Sequence, residues 1–320
     1  MEILVRQAKL QSFRCSPKYK FGFEIPKTYE HALQLDAAAG NNKWRDANVL
    51  EMEQLWEYEV FIDKGRFHVT KIPEGYQRIS VHMVFDVKHD GRHKARCVAD
   101  GHLTDTPLES VYSGVVSLRG FRMCLFLAEL NDMKAYATDI GNAYLEAYTS
   151  EKLVIKAGKE FGDQEGNLLV ISKALYGLKS SGLRFNQLLG SCLSKLGFKR
   201  SLCEDDIWYK DVGTHYEYVA TYVDDLCIVA KDPIKLLDQL QGEPFNFKLK
   251  GSCPIEDTVH LGSGFSRNID NVLTMNPKHY IDRMREAFNQ RYPGEKINQK
   301  IKSPLEPGDH PELDTSEFLN

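Results

Sequence analysis

The amino-acid sequence predicts a protein of the α+β class, and strands and helices mixed along the chain are the reason. Residues 79–87 alternate as a half-buried strand does, His89-Asp90-Gly91 turns the chain, and residues 93–101 return. Residues 216–231 then read as two apolar strands interrupted at their centre by two aspartates. Between these hairpins, apolar residues recur at helical spacing. The pattern indicates an antiparallel sheet packed against helices.

The other predicted elements follow the same two periodicities. Helices are predicted over residues 44–61, 117–130, 181–196, 232–240 and 277–291, with Gly197 ending the third and Asp232-Pro233 starting the fourth. Short strands are predicted over residues 135–139, 153–157, 167–174, 245–251, 258–266 and 271–276. The first 45 residues mix aromatic side chains with turn formers, and the final 30 suggest a loosely ordered link to a further domain.

The bulk properties narrow the functional classes. With 320 residues, 42% of them apolar, the chain is long enough for a large core or several subdomains. It has neither a run of roughly 20 apolar residues nor the apolar core of a signal peptide, which predicts a soluble intracellular protein without a membrane partner. Its seven cysteines form no C-x-x-C pair, so neither a zinc site nor a disulfide framework is indicated.

A net charge of −4 argues against a protein that coats nucleic acid through bulk positive charge. A local site remains open in the segment 87–96. There Lys88, Arg92, Lys94 and Arg96 outnumber Asp90, which gives a local charge of 4 − 1 = +3. Charge alone favours a solvated hairpin over a binding surface at this position.

Asp224 and Asp225 are the central anomaly, because apolar strands rarely bury charge without compensation. Successive side chains of a strand point to opposite faces, so both reach one site only at or beside a turn. Two carboxylates forced together repel, and they raise their pKa or bind a divalent cation such as Mg²⁺. The alternative is a solvent-exposed β turn, but the flanking strands are very hydrophobic for a surface hairpin.

Asp139 supplies a third carboxylate at the end of the predicted strand 135–139. Three carboxylates could hold two metal ions for phosphoryl transfer. Taken alone, Asp139 is better explained as a cap of the turn that begins at Ile140-Gly141-Asn142. The residues by themselves therefore leave its role open.

Several motifs in order resemble one known family. They are VFDVKHDGRHKARCVADG, TDIGNAYLEA, KALYGLKSSGLRF, YVDDLCIVA, HLGSGFSRN and KHYIDRMREAF. The chain resembles the reverse transcriptase of copia-type long-terminal-repeat retrotransposons from about residue 18 onward. The resemblance implies the right-hand polymerase fold, with fingers, palm and the start of a thumb, and an RNA-directed DNA polymerase activity.

Motif by motif, the resemblance also implies roles for single residues. Asp139, Asp224 and Asp225 become the catalytic metal ligands, with help from the Ile140 carbonyl. Tyr144 becomes a steric gate against ribonucleotides; without the motif it would be read as a core tyrosine. The implied nucleotide contacts are Arg96, Lys94, Lys88, Tyr176 and Gly177. The implied cofactors are two Mg²⁺ ions, for which Mn²⁺ can substitute.

The resemblance divides the chain into an N-terminal extension (1–45), fingers and palm (46–250), the end of the palm and start of the thumb (251–291), and a linker toward a missing RNase H region (292–320). It implies an RNA or DNA template with primer, deoxynucleoside triphosphates, integrase and RNase H domains of a polyprotein as partners, and virus-like particles in the cytoplasm with a nuclear phase.

Two segments depart from the family pattern, namely Ser180 to Phe185 and Asp205-Asp206. They keep open a second reading, in which the domain is a decayed relic that binds nucleic acid without catalysis. A metal-dependent nuclease is a third reading, but it leaves Tyr144, Arg96 and the YGLK segment unexplained.

Overall fold

A computed structural model of the chain describes residues 17–104 and 111–295. Its helices are α1 (Tyr29–Ala39), α2 (Lys43–Glu57), α3 (Leu118–Leu130), α4 (Ala143–Glu146), α5 (Ser181–Lys195), α6 (Pro233–Gln241) and α7 (Lys278–Arg291). Its strands are β1 (Lys18–Lys20), β2 (Phe23–Ile25), β3 (Phe61–Arg66), β4 (Gln77–Arg78), β5 (Val81–Val87), β6 (His93–Ala99), β7 (Lys134–Ile140), β8 (Leu153–Lys156), β9 (Asn167–Ile171), β10 (Lys199–Arg200), β11 (Ile207–Asp211), β12 (Tyr216–Tyr222), β13 (Asp225–Ala230), β14 (Leu249–Pro254), β15 (Val259–His260), β16 (Ser263–Arg267) and β17 (Leu273–Asn276).

Six antiparallel strands form the central sheet, which we call the palm sheet, in the order β10-β11-β12-β13-β7-β14. The α+β class predicted from the sequence is therefore confirmed. Strand β7 lies between β13 and β14, and both of these neighbours come much later in the sequence. This topology brings the two predicted aspartate segments side by side.

Helices cover both faces of the palm sheet, which explains the unbroken apolar run of β13. Leu226 and Ile228 face a core that contains side chains of α5 and α6. Cys227 and Val229 alternate with them and face a second core that contains Phe121 of α3. A strand buried on both faces needs apolar residues at every position, which is the pattern that the sequence has.

The fingers hairpin, as we call β5 and β6, pairs in antiparallel register from Val81 opposite Ala99 to Val87 opposite His93. Ala95 and Cys97 point into a large core, and helix α2 packs along β6. Lys94 and Arg96 lie on the other face of the strand, which leaves them available to a neighbouring cavity. The two-stranded finger predicted from the alternation is confirmed.

The segment 17–45 contains more order than the sequence patterns indicated. Strands β1 and β2 form a hairpin, and α1 follows with Thr28 as its N-cap. Asp36 of α1 is buried, and its carboxylate accepts hydrogen bonds from the Trp44 and Arg45 backbone amides at 3.1 and 2.9 Å. One acidic side chain thus satisfies free amides in the first turn of the next helix.

The C-terminal part differs in detail from the predicted elements. The strand predicted over residues 245–251 begins only at Leu249, and residues 258–266 divide into β15 and β16 because Leu261 and Gly262 turn the chain with φ of 48° and 76°. The predicted last helix is present as α7. Most of the final 30 residues, from 296 onward, lie outside the described residues.

Two general properties bear on the predictions from composition. In the described part of the chain, no helix combines the length and apolar character that crossing a membrane requires. The six described cysteines are free thiols, as their scattered spacing predicted.

His260 gives a pH-dependent contribution to stability that can be measured. It is 5% exposed beside Phe121, with ring centroids 5.4 Å apart, and burial lowers its pKa from 6.5 to about 4. The unfolded chain therefore binds a proton more tightly, and stability is lost as pH falls from 6.5 toward 4. Urea unfolding measures the free energy of unfolding at pH 7.5 and at pH 5. We expect the decrease between these two pH values to be about 2 kcal/mol smaller in His260→Met than in the wild type. Equal losses in both proteins would contradict this assignment.

Candidate active site

Four side chains form a row across the palm sheet at the turn between β12 and β13. Tyr222 is opposite Asp225, Asp225 is opposite Asp139, and Asp139 is opposite Lys250 on β14. Directly opposed residues of antiparallel strands share a face, with Cβ atoms about 4.5–5.5 Å apart. The register therefore brings two of the predicted aspartates to one face, and it adds a lysine that the sequence analysis did not select.

Asp224 lies in the two-residue turn that joins β12 to β13, and its carbonyl accepts a hydrogen bond of 2.8 Å from the Ile140 amide. The preceding residue, Val223, has φ of 56°, a conformation that is an outlier for a β-branched residue. Asp139 lies within β7 instead of capping the following turn, and its carboxylate accepts no hydrogen bond from the described residues. The turn-cap explanation therefore does not hold for Asp139.

Burial and mutual repulsion raise the pKa of Asp225 and of Asp139. Burial, together with the charges of Asp224 and Asp139, raises the pKa of Asp225 from 3.8 to about 6. The pKa of Asp139 is raised as well, first by burial and then by Asp224, while Lys250 and the fingers lysines Lys88 and Lys94 oppose that rise. Three acidic groups in mutual electrostatic contact favour a cation among them.

The donor set suits a hard divalent cation, because all three groups are carboxylates. As they lie, however, the side chains of residues 17–104 and 111–295 include no group of three or more acidic, histidine or cysteine residues able to hold a metal ion. The register of β7 and β13 nevertheless places Asp139 and Asp225 directly opposite each other.

A cavity of about 240 Å³ separates the fingers hairpin from the palm sheet. Its lining includes basic residues of the hairpin, Asn142, which follows β7, and Lys250 of β14. The remaining lining comes mainly from α2 and from Tyr176. The basic lining residues are Lys88, Arg92, Lys94, Arg96 and Lys250. This arrangement can bind a polyanion next to the carboxylate row.

Arg96 is held over the ring of Tyr176, with 4.9 Å from the guanidinium carbon to the ring centroid. The Tyr176 carbonyl in turn accepts a hydrogen bond of 2.7 Å from the Ala99 amide at the end of β6. Tyr144 stands beside Tyr176, with ring centroids 5.1 Å apart, and is half-buried. Burial and the charge of Asp224 raise the pKa of both tyrosines, and Arg96 opposes that rise. The structure thus brings Arg96, Tyr176, Tyr144 and Asp224 into one neighbourhood.

Gly177 allows the segment after Tyr176 to approach β6 closely. Its φ is 91°, and a Cβ atom there would lie 2.1 Å from the Ala99 carbonyl oxygen and 2.7 Å from a methyl carbon of Val98. Gly177 thus lies in a turn and also permits a close approach of two backbone segments.

Gly177→Ala is expected to lower the free energy of unfolding by about 3 kcal/mol or more, because strain and a backbone clash act together. Gly91 is the matched control: its φ is 80°, and nothing lies within 4 Å of an added Cβ. Gly91→Ala should therefore lower the free energy of unfolding by only about 1 kcal/mol. Urea titration of both variants measures the two losses. Equal losses in the two variants would show that close approach is not what Gly177 provides.

Three further residues lie near the site, although the sequence did not predict them to be part of it. Glu51 of α2 accepts a hydrogen bond of 3.0 Å from the Cys97 amide. Burial raises the pKa of Glu51, and the nearby charges of Lys94 and Arg96 oppose that rise. Asp206 is buried, and its carbonyl accepts a hydrogen bond of 2.9 Å from the Thr221 amide, just before the aspartate turn. Lys250 is the third. Only the strand register and the helix packing identify them.

The chain is similar to a reverse transcriptase family and to Pol polyproteins of transposons. The sequence profile of a family described as "Reverse transcriptase (RNA-dependent DNA polymerase)" matches residues 64–294. The "Retrovirus-related Pol polyprotein from transposon RE1" of Arabidopsis thaliana is 24% identical over 290 residues, which are 86% of this chain and 19% of that protein. The "Transposon Ty1-DR1 Gag-Pol polyprotein" of Saccharomyces cerevisiae is 25% identical over 296 residues, which are 86% of this chain and 16% of that protein.

The chain thus spans less than a fifth of the length of these two curated relatives. Among solved structures, a foamy viral protease-reverse transcriptase in complex with double-stranded DNA matches with a TM-score of 0.40 and 16% identity, over 70% of this chain and 34% of that one. The profile match covers well over half of the chain and includes the whole carboxylate row, the fingers hairpin and the Tyr144 segment. The chain therefore belongs to the reverse transcriptase (RNA-dependent DNA polymerase) family.

Proposed function

We propose that this chain is the polymerase core of a copia-type retrotransposon and adds deoxynucleotides to a primer on an RNA or DNA template. The observation that carries the proposal is the placement of the Asp225–Asp139 pair beside a basic cavity. Carboxylates that repel one another lie next to a cluster of cations in the same site. A deoxynucleoside triphosphate with its metal ions has the charges that complement both.

In the proposed reaction, the primer 3′-hydroxyl attacks the α-phosphate, a new phosphodiester bond forms and pyrophosphate leaves. Arg96, with Lys94 and Lys88, neutralises the charge of the triphosphate, since a guanidinium forms paired hydrogen bonds with phosphate oxygens. Tyr176 holds the guanidinium from below. Gly177 brings its backbone close to β6 and so fixes Tyr176 at the edge of the cavity.

Asp139, Asp224 and Asp225 would hold two Mg²⁺ ions, or Mn²⁺ in their place, with the Ile140 carbonyl as a further ligand. When bound, such ions activate the attacking hydroxyl and stabilise the leaving oxygen. The protein's own part is to hold the three carboxylates close to one another despite their mutual repulsion. The Ile140–Asp224 hydrogen bond supports that part, because it ties the turn of β12 and β13 to β7.

Tyr144 is proposed as the gate that excludes a ribose 2′-hydroxyl. Its half-buried ring is braced by Tyr176 and Phe185, with centroids at 5.1 and 6.4 Å. A braced ring cannot move aside to accept an extra oxygen. The names of the relatives are those of Pol polyproteins, so integrase and RNase H domains are proposed as neighbours in a longer chain.

A relic that binds nucleic acid without catalysis is the second candidate, and the unusual segment from Ser180 to Phe185 favours it. Against it, Ser181 is buried and its hydroxyl donates to the Leu175 carbonyl at 2.6 Å, and Phe185 is 1% exposed in the core. That segment is a well-packed start of α5.

The test is extension of oligo(dT) on poly(rA) with Mg²⁺ or Mn²⁺, beside a binding titration with the same duplex. Extension that depends on the metal and on dTTP supports the polymerase. Binding without extension under either metal would establish the relic instead.

A further inference from the structure

The four-residue helix α4 carries Tyr144, and its position cannot come from its own stability. A single turn is far below the length at which a helix is stable in water. It is preceded by Asn142, which adopts a left-handed conformation with φ of 54°. We call residues 141–146 the gate segment. Its placement must be set by the elements that touch it.

Gln54 of helix α2 and Tyr58, the residue that follows the helix, contact the gate segment. The Asn142 side-chain amide donates to Gln54 Oε1 at 3.3 Å, and the Tyr58 hydroxyl lies 3.5 Å from the Gly141 carbonyl oxygen. The Glu146 carboxylate of the gate segment also acts on Tyr58 electrostatically: burial first, and then the charge of Glu146, raise the pKa of Tyr58. The Tyr58 amide donates to the Gln54 carbonyl at 3.0 Å, so the last turn of α2 holds the two residues next to each other.

The opposite side of the gate segment is closed by β14 and the residues before it. The Gly141 amide donates to the Lys248 carbonyl at 2.8 Å, and a Cβ atom on Gly141 would lie 2.6 Å from the Lys250 side chain. The Lys248 ammonium lies 4.8 Å from the Tyr58 ring centroid and 2.5 Å from Glu57. The gate segment is thus held between the end of α2 and the edge of the palm sheet.

The same helix also forms part of the nucleotide cavity. Glu51 and Gln54 line it together with Asn142, and Glu51 holds the β6 backbone beside Arg96. One rigid helix therefore contacts both the strand that carries the proposed phosphate ligands and the segment that carries the proposed gate.

We propose that Gln54 and Tyr58 are positioning residues, a clamp that fixes the distance between the Asp139 strand and the Tyr144 ring and so sets discrimination between deoxynucleotides and ribonucleotides. The inference rests on the proposed function. It goes beyond that function because neither residue carries a distinctive sequence motif, and both act through Asn142 and its neighbours.

The test compares Tyr58→Phe, Gln54→Ala and Gln54→Glu with the control Glu53→Gln, an exposed position on the same helix. For each protein, kcat/KM is measured with dTTP and UTP on poly(rA)/oligo(dT). Each of Tyr58→Phe and Gln54→Ala loses one hydrogen bond. We expect this loss to lower the dTTP/UTP ratio of kcat/KM about fivefold. Glu53→Gln should keep the wild-type ratio.

Gln54→Glu separates positioning from general damage. It keeps the oxygen that accepts from Asn142 but places a negative charge in the cavity. We expect it to raise KM for dTTP while leaving the dTTP/UTP ratio near that of the wild type. A fall of the ratio equal to that of Gln54→Ala would overturn the clamp.

Hydrogen exchange supplies a readout that needs no catalysis. Peptides covering residues 139–147 should exchange faster in Tyr58→Phe and Gln54→Ala than in Glu53→Gln. If the wild type fails to extend primers, the proposed function fails and exchange still decides the clamp. A second outcome would refute the clamp alone. In it, Tyr144→Val lowers the dTTP/UTP ratio of kcat/KM, while Tyr58→Phe and Gln54→Ala keep both the wild-type ratio and the wild-type rate of hydrogen exchange.

Discussion

Replacing Asp224 with asparagine is expected to reduce primer extension on the order of a thousandfold or more while leaving the fold intact. The substitution keeps the size of the side chain and removes the charge that would hold a metal ion. A catalytic metal contributes several kcal/mol to transition-state stabilisation, and each 1.36 kcal/mol is about a tenfold change in rate. Single-turnover extension with saturating dTTP and Mg²⁺ measures the effect.

The fold should survive because the charge of Asp224 repels its acidic neighbours. It raises the pKa of both Asp225 and Asp139, so its removal relieves repulsion. Urea unfolding of Asp224→Asn should therefore give a free energy equal to or above that of the wild type. Asp205→Asn makes the same chemical change at an exposed aspartate and should leave extension unaltered. Undiminished extension in Asp224→Asn would refute the assignment of the carboxylate row.

Replacing Tyr144 with valine is expected to admit ribonucleotides, which is the second large effect. The ring is packed against Tyr176 and Phe185, so valine leaves open space where a 2′-hydroxyl would otherwise collide. Small steric differences in a binding pocket change selectivity roughly 10–200-fold. We expect the dTTP/UTP ratio of kcat/KM to fall within that range, with dTTP incorporation much less affected.

The control for Tyr144→Val is Tyr148→Val, the same substitution four residues later. Tyr148 is 68% exposed, and its ring contacts Lys173 outside the cavity. It should leave selectivity unchanged. If Tyr144→Val also leaves the ratio unchanged, Tyr144 is a packing residue and not a gate, although the polymerase assignment would stand.

The elements with strong periodicity could be predicted from the sequence. Alternation gave the fingers hairpin, and the apolar run around Asp224 and Asp225 gave β12 and β13, because side-chain periodicity follows directly from strand geometry. The segment 17–45 was not predicted, because its short hairpin and α1 depend on tertiary partners. The Asp36 carboxylate that accepts from the α2 amides is one such contact.

The sequence by itself determined the chemistry of the candidate site: the three aspartates, the basic hairpin and the ordered motifs that include Tyr144 and Arg96. Only the tertiary structure decided which residues meet. Strand register placed Asp139 between Asp225 and Lys250, and helix packing brought Gln54 and Tyr58 to the gate segment. Contacts between positions 83 or more residues apart leave no local periodicity, because they depend on how separate elements pair and pack.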